Sequence, residues 1–369
     1  MMKVGITGID GMIGFHLRCF LHGKNEVVVV GADRSTFMSQ IALDEFLAGL
    51  DVVVHLAGMN RGDDAEIEMT NIGLASALVT ACERSKLRPH IIFASSTHVM
   101  RDTPYARSKR EATRILSEWS AKEGAVFTSL ILPHVFGEGG KPFYNSVVST
   151  FCHQLANGDT PVIANDGDLE LVHSQQVAEI VFALTHKPIS GDVRVTGVPM
   201  RVSVLLANLS NFDQLYRGLV MPDVREPIDL HLFNTYRSYL FPRYYPVNLQ
   251  LHEDKRGGLF EAVKSLNGGQ CFISTTKPGI TRGDHYHTNK IERFLVLSGK
   301  GLFRIRKLFS EEMAEFEVSG DRPQYIDMPT LHTHNITNIG GSDMTTLFWS
   351  HEIFDPVNPD TFPESVKNK

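Results

Sequence analysis

Cysteine is scarce in this chain. Cys19, Cys82, Cys152 and Cys271 are the only four, they lie far apart, and none forms a CxxC pair. A disulfide frame and a thiolate metal centre are thereby excluded, and buried thiols in a reducing compartment are expected. Runs of one charge are missing as well. The 36 Lys and Arg are set against 42 Asp and Glu, for a net charge of −6, with no basic tract suited to nucleic acid. A mildly acidic chain can still hold a small anion, because a pocket can be locally positive. No stretch has the roughly 20 apolar residues needed to span a bilayer. Met1-Met2-Lys3-Val4-Gly5-Ile6 lacks the length and cleavage site of a signal peptide. The expectation is a cytoplasmic protein with no membrane partner. Repeats and low-complexity tracts are also absent, and two domains are expected of 369 residues.

The first half of the chain does contain a regular alternation of short apolar runs and helical periodicity. Strands are predicted over 3–7, 26–31, 51–56, 90–95 and 127–132, and helices over 13–22, 43–50, 67–85 and 105–123. Nearly all-apolar strands suit a parallel sheet covered on both faces. The pattern fades after about residue 186, and the Pro- and aromatic-rich stretch 222–246 reads as a connector. From about residue 259, alternating strands and Gly-rich turns imply an all-β unit. The predicted fold is therefore α/β, a Rossmann-like doubly wound parallel sheet over 1–245, followed by an all-β barrel over 246–369.

Between the first strand and the first helix stands Thr7-Gly8-Ile9-Asp10-Gly11-Met12-Ile13-Gly14. Gly8 allows a tight turn, Gly11 lets the backbone approach a phosphate, and Gly14 permits close helix–strand packing, with the helix N-terminus facing the anion. Met12 and Ile13 complete this predicted dinucleotide loop. At the end of the next strand, Asp33 suits a free ribose 2′-hydroxyl and Arg34 a 2′-phosphate; Arg34 directly after the strand tilts the reading toward NADPH. Downstream, Tyr105 and Lys109 stand four apart on one helix face. An ammonium beside the phenol is expected to lower its pKa toward neutrality, making Tyr105 a general acid for a carbonyl oxygen. Ser95-Ser96-Thr97 supplies hydroxyls for the same oxygen, and His55-Leu56-Ala57-Gly58 forms another strand end beside the cofactor.

These motifs, with Leu132-Pro133-His134-Val135-Phe136-Gly137, resemble the extended short-chain dehydrogenase/reductase family in kind and order. The resemblance implies that Tyr105 gives a proton while the nicotinamide gives hydride, with Lys109 holding the nicotinamide ribose. Ser96 then matches the catalytic hydroxyl, with Thr97 second. Asn71 matches the helix asparagine that orders the proton relay, and Pro133 and Val135 match the turn against the nicotinamide. Relatives of this kind act on nucleotide-linked sugars. The segment between Asp33 and Asp51 is short, so a whole strand with its adenine-contacting acid is expected to be missing.

The second half carries Gly279, His285, His287, Glu292 and Gly299 at spacings that resemble the first cupin motif. Alternate strand residues share a face, so His285 and His287 are expected to point inward together, with Glu292 on the neighbouring strand. Pro329, His334 and Asn338 resemble the second motif, with Leu331 where glycine is usual. Three imidazoles and a carboxylate suit Zn, Ni, Mn or Fe; zinc is expected, because hydride chemistry needs no second redox centre. His332, Tyr286 and Lys290 are the candidate bases, with His332 the first choice for its alternation with His334.

The two halves in this order resemble the bifunctional capsular-polysaccharide enzymes of the CapF type. That resemblance implies a UDP-linked 4-keto amino sugar as substrate, C3 epimerisation in the barrel, NADPH-dependent reduction at C4, a place on the way to UDP-N-acetyl-L-fucosamine, and a homodimer. The alternative is a nucleotide-sugar 4-epimerase or dehydratase with a structural barrel. Ser96-Thr97 is followed by His98-Val99 and not by the carboxylate pair that dehydration uses.

Overall fold

In the computed structural model, which describes residues 1–367, six parallel strands form one sheet in the N-terminal half. Their order is Val27–Ala32, Met2–Thr7, Val52–His55, His90–Ser96, Phe127–Leu132 and Gly191–Arg194. Side-chain alternation divides the core in two. Val52, Val54, Ile92 and Ala94 pack with Leu17 and Leu21 of the helix Met12–His22 and with Val177 and Val181 of Ser174–His186. Val53, Ile91 and Phe93 point the other way, onto Leu78 and Cys82 of Asp64–Ser85 and Leu116 and Trp119 of Pro104–Glu123. Each such aliphatic side chain, fully buried, contributes about 1.5–3 kcal/mol, so a one-residue register slip would reverse both faces at once. Val27–Ala32 is one of the two edge strands. Two short helices, Arg34–Met38 and Gln40–Leu47, follow it, and the extra strand of a full dinucleotide sheet is absent there, as the short 33–51 segment implies.

Two compact units emerge: Met1–Ser146 with Asn165–Val202, and Val147–Ala164 with the chain from Ser203 onward. The stretch predicted as a connector is a helix, Pro227–Leu240, with Leu232, Phe233, Tyr236 and Leu240 buried. Its aromatics are core. Phe233 lies 5.6 Å from Phe212 and 5.3 Å from Tyr216, ring centre to ring centre. Pro227 occupies the first turn, where its missing N–H is no loss.

The remainder of this unit is two five-stranded antiparallel sheets. One runs Val247–Asn248, Gln324–Asp327, Glu292–Ser298, Met344–Ser350 and Gln270–Thr276; the other runs Met313–Ser319, Lys300–Lys307, His332–Asn338, Thr281–Tyr286 and Phe362–Pro363. Both contribute to one core, through Phe294 and Ile326 from the first and Phe303 and Ile336 from the second. The arrangement is cupin-like, but among the described residues no ladder of backbone hydrogen bonds joins the two sheets, so the expected barrel is not closed. Cys19, Cys82 and Cys152 are buried, whereas Cys271, expected inside, is exposed on a strand at one edge of its sheet. No described helix is long and apolar enough to cross a membrane.

Candidate active sites

The helix Pro104–Glu123 begins where its sequence says it should. Thr103 accepts a hydrogen bond from Ala106 N at 3.2 Å, Pro104 occupies the first turn, and Gly124 ends the helix at φ +66°. That start places Lys109 in the interior, where Nζ donates to the Ala94 carbonyl at 2.7 Å and lies 4.5 Å from the centre of the Phe93 ring. Burial pushes the Lys109 pKa down to about 8. Tyr105 is half-buried, its ring centre 5.7 Å from Lys109 Nζ. The expected lowering of its pKa is not found: burial pushes the phenol up to about 12. Lys109 is directed at Ala94, and its charge does not offset the loss of water around the hydroxyl.

Other predicted residues gather around this pair. Asn71 is buried. Its Nδ2 donates to Met59 O at 2.8 Å and to Ser108 Oγ at 2.9 Å, and its Oδ1 accepts from Met59 N at 2.6 Å. It thereby ties the loop after Val52–His55 to the helix Pro104–Glu123. Gly58 lies against it: a Cβ there would stand 3.0 Å from Asn71 Oδ1 and 3.8 Å from Lys109 Nζ. Ser96 closes its strand and accepts from His98 N at 3.1 Å, and Thr97 begins the following turn. Burial and the charge of His98 push the His134 pKa down to about 4.

The dinucleotide loop fits a pyrophosphate. Gly8 has φ +70°, and a Cβ on Gly14 would stand 2.3 Å from Gly8 O. Gly11 precedes Met12–His22 without any side-chain cap, so the first N–H groups of that helix remain available to an anion. Thr7 Oγ1 pairs with His55 Nδ1 at 2.7 Å and accepts from Ala57 N at 3.1 Å, which holds Leu56 and Ala57 beside the loop. Asp33 is engaged as the cap of Arg34–Met38, accepting from Ser35 Oγ at 2.6 Å and Thr36 N at 3.1 Å, while Arg34 is exposed at the strand end. Pro133 is buried and Val135 half-buried. Close to this turn is a group no motif announced: His173 Nε2 lies 2.9 Å from Glu138 Oε2, and His16 Nε2 lies 2.9 Å from Glu138 O, all three side chains being buried. They bolt the helix Met12–His22 to the loop after Phe136.

In the second unit, strand register sets His285 directly opposite His334, with a bulge between Gly283 and His285. Gly283 and Asp284 take φ +110° and +58° to make that bulge. His287 follows the strand end. Glu292 starts a strand of the facing sheet, not of the neighbouring strand expected. Its Oε2 lies 3.1 Å from His287 Nε2, 3.9 Å from His334 Nε2 and 4.0 Å from His285 Nε2. The four ligand atoms all fall within 4.8 Å of one another.

These residues fit a divalent cation by their own hydrogen bonding. His287 Nδ1 pairs with Asp360 O at 2.6 Å and His334 Nδ1 with His332 O at 3.3 Å. Both Nε2 atoms are buried and face Glu292 Oε2, that of His287 at 3.1 Å, with no other hydrogen-bond partner among the described residues. Carbonyl partners on Nδ1 select the tautomer whose Nε2 lone pair faces inward. Burial pushes His334 down to about 4 and so keeps it neutral. On Glu292 burial favours the neutral acid, but His287 and the other imidazoles outweigh it and hold the carboxyl well below its ordinary range.

His285, Glu292 and His334 line a cavity of about 340 Å³ whose wall also includes Arg282, Lys290, Phe294, Asn335 and Phe354. The three candidate bases divide here. Lys290 lines the cavity. Tyr286 stacks on Phe362 at 5.1 Å. The His332 ring packs against Phe241 at 5.1 Å with Nδ1 on Thr330 O at 2.7 Å, and neither it nor Tyr286 belongs to the cavity wall. Leu331, in the place of the usual glycine, keeps the glycine-like backbone, with φ +60°, and its N–H donates to His287 O at 2.8 Å.

Residues 4–195 match the NAD dependent epimerase/dehydratase family, and residues 252–362 match the polysaccharide biosynthesis C-terminal domain. A UDP-2-acetamido-2,6-beta-L-arabino-hexul-4-ose reductase of Pseudomonas aeruginosa is 32% identical, over 99% of both chains. The crystal structure of the capsular polysaccharide assembling protein CapF from Staphylococcus aureus is similar over 99% of this chain and 100% of that one, with 31% identity and a TM-score of 0.64. RMD from Pseudomonas aeruginosa complexed with NADPH shares the fold of the N-terminal half, with a TM-score of 0.52 and 20% identity over 58% of this chain and 84% of that one. The chain belongs to the NAD-dependent epimerase/dehydratase family, in the group that adds a polysaccharide-biosynthesis C-terminal domain and includes CapF.

Proposed function

We propose that this chain converts a UDP-linked 2-acetamido-2,6-dideoxy-4-hexulose in two steps, inversion at C3 in the cupin-like unit and NADPH-dependent reduction at C4 in the dinucleotide unit. The product is UDP-N-acetyl-6-deoxy-L-talosamine, on the way to UDP-N-acetyl-L-fucosamine for capsular polysaccharide. The observation that carries this reading is the coexistence, in one chain, of the Tyr105–Lys109 helix and the inward-facing tetrad His285, His287, Glu292 and His334. Similarity along the whole chain to a reductase of a UDP-linked 4-keto sugar supports it.

In the dinucleotide unit Gly8, Gly11, Met12, Ile13 and Gly14 hold the pyrophosphate, Arg34 the 2′-phosphate, and Ala57, Gly58, Pro133 and Val135 the nicotinamide side. The nicotinamide, when bound, supplies the hydride. Tyr105 gives its proton to the C4 oxygen, Ser96 steadies that oxygen, and Lys109 holds the nicotinamide ribose. Asn71 keeps the helix and the loop in register.

In the cupin-like unit the C4 ketone acidifies the C3 proton. A divalent cation, zinc by our reading, supplies a Lewis acid when held by the three imidazoles and Glu292. Lys290 is the candidate base that faces the cavity, and Arg282 offers charge to an anionic substrate at the same wall. Reprotonation on the opposite face inverts C3, and reduction at C4 then makes the inversion irreversible. We place the protein in the cytoplasm, as a homodimer.

The test is product stereochemistry. With the 4-keto UDP-sugar and NADPH, His287→Ala should still oxidise NADPH but yield a product with uninverted C3 by NMR. Inverted product from a metal-depleted His287→Ala would overturn the assignment of epimerisation to the tetrad.

A further inference from the structure

Asp360 lies far along the chain from the metal-type motif, yet its bonds converge on it. Its carboxylate accepts from Thr288 N at 2.9 Å, Thr288 Oγ1 at 2.6 Å, Asn289 N at 2.8 Å and Lys290 N at 2.7 Å. Its carbonyl accepts from His287 Nδ1 at 2.6 Å. One residue therefore ties down the whole turn between His287 and Glu292 and sets the tautomer of His287. The backbone at Asp360 takes φ +40° to present both groups to the same turn, a left-handed conformation that aspartate tolerates better than most residues.

The flanking residues extend the same attachment. Lys290 Nζ donates to Pro359 O. Phe362 and Pro363 pair with Tyr286 and His285 as an added edge strand. Glu364 N donates to Asp284 O at 2.9 Å, and Val366 N donates to Asp284 Oδ1 at 3.1 Å. Arg306 holds the end of the strap through Glu364 Oε1 at 3.0 Å and Val366 O at 2.8 Å. The strap is thus bonded to the bulge before His285, to the strand carrying His285, and to the turn after His287.

We infer that the C-terminal strap 359–366 is the outer support of the cation site, and that Asp360 is a positioning residue that presents His287 Nε2 to the ion. This inference rests on the reading of the tetrad as a cation site. Removing the carboxylate releases four donors and frees the turn that joins two ligands. Asp360→Ala keeps the main-chain carbonyl on His287 Nδ1 but releases the turn that holds it in place; loss of such an outer-shell bond to a metal-bound histidine costs about 10–100-fold in affinity.

The experiment measures zinc affinity of the full-length protein by competition with a chromophoric chelator, and records visible absorption of the cobalt(II)-loaded form. Wild type should bind one equivalent in the tetrad. Asp360→Ala should bind zinc about 10–100-fold more weakly, with a changed cobalt spectrum. Asp360→Asn, which retains an acceptor oxygen, should lie between. Asp355→Ala, whose carboxylate accepts from Val357 N within the same segment, should match wild type. If Asp360→Ala does not fold, Thr288→Val removes one of the bonds and should show a smaller loss. Absence of zinc from wild type would overturn the cation reading itself. Wild-type affinity and spectrum in folded Asp360→Ala, with only a lowered melting temperature, would leave that reading standing and overturn the strap.

Discussion

Tyr105 and Lys109 reach their places through one turn of a single helix, whereas His285, His287, Glu292 and His334 meet through the register of two sheets. The first arrangement needs only Thr103 and Pro104 to start the helix and Ala94 to receive the ammonium. The second depends on a bulge at Gly283 and Asp284, a left-handed Leu331 and a clamp from Asp360. Their electrostatics differ in the same sense. No carboxylate compensates Lys109, and burial alone moves both it and Tyr105 toward their neutral forms. The imidazole cluster contains its own anion, Glu292. A site built locally is easily placed but borrows its charge balance from what it binds. A site built from distant strands needs more scaffolding but is organised beforehand.

The sharpest way to separate the two regions is Tyr105→Phe. Loss of the proton donor should cut NADPH oxidation by roughly 10²–10⁴-fold while leaving metal content, measured on the purified protein, unchanged. Equal loss of metal would show that the sites are not independent. Next in size is a pH effect confined to the first region. Lys109 has a pKa of about 8 in the folded protein, so its charge is lost as pH rises through that value. For NADPH-dependent reduction, kcat/KM should fall about tenfold per pH unit above about 8, and a flat profile to pH 10 would contradict the role given to Lys109. The stability linkage has its own sign. Between about 8 and 10.5 the unfolded lysine binds the proton that the folded one has released, so this group's contribution to stability rises with pH across that window. An effect on stability, not on activity, probes the second region. Leu331→Gly relieves a positive φ but removes a fully buried side chain. The packing loss, typically about 2–5 kcal/mol for deletion of a buried leucine, exceeds the strain relieved, so urea denaturation should show net destabilisation. A gain in stability would mean that backbone strain dominates at that turn.

The same contrast decides how much could be read from the chain. The helices and strands around Gly8, Asn71, Tyr105 and Lys109 are written in local periodicity and caps, so their placement and their side-chain faces were legible. The tetrad was legible as a set of ligand types, because alternation and spacing survive in the sequence. Its frame was not. Glu292 comes from the facing sheet, Asp360 joins from a segment with no periodic signal, and the His16–Glu138–His173 group assembles three distant parts of the chain. Pro227–Leu240 was obscured for a different reason: proline and aromatic density reads as a linker unless tertiary burial is known. The upward shift of Tyr105 was also invisible, since desolvation is a property of the packed helix and not of the Tyr-x-x-x-Lys spacing.

The central claim, that two separate sites act in turn on one sugar, is tested most directly by following solvent deuterium into C3 of the 4-keto UDP-sugar without NADPH. The account predicts incorporation by wild type and by Tyr105→Phe, and none by His287→Ala. Deuterium entering C3 only when NADPH is present, or entering equally with His287→Ala, would contradict it.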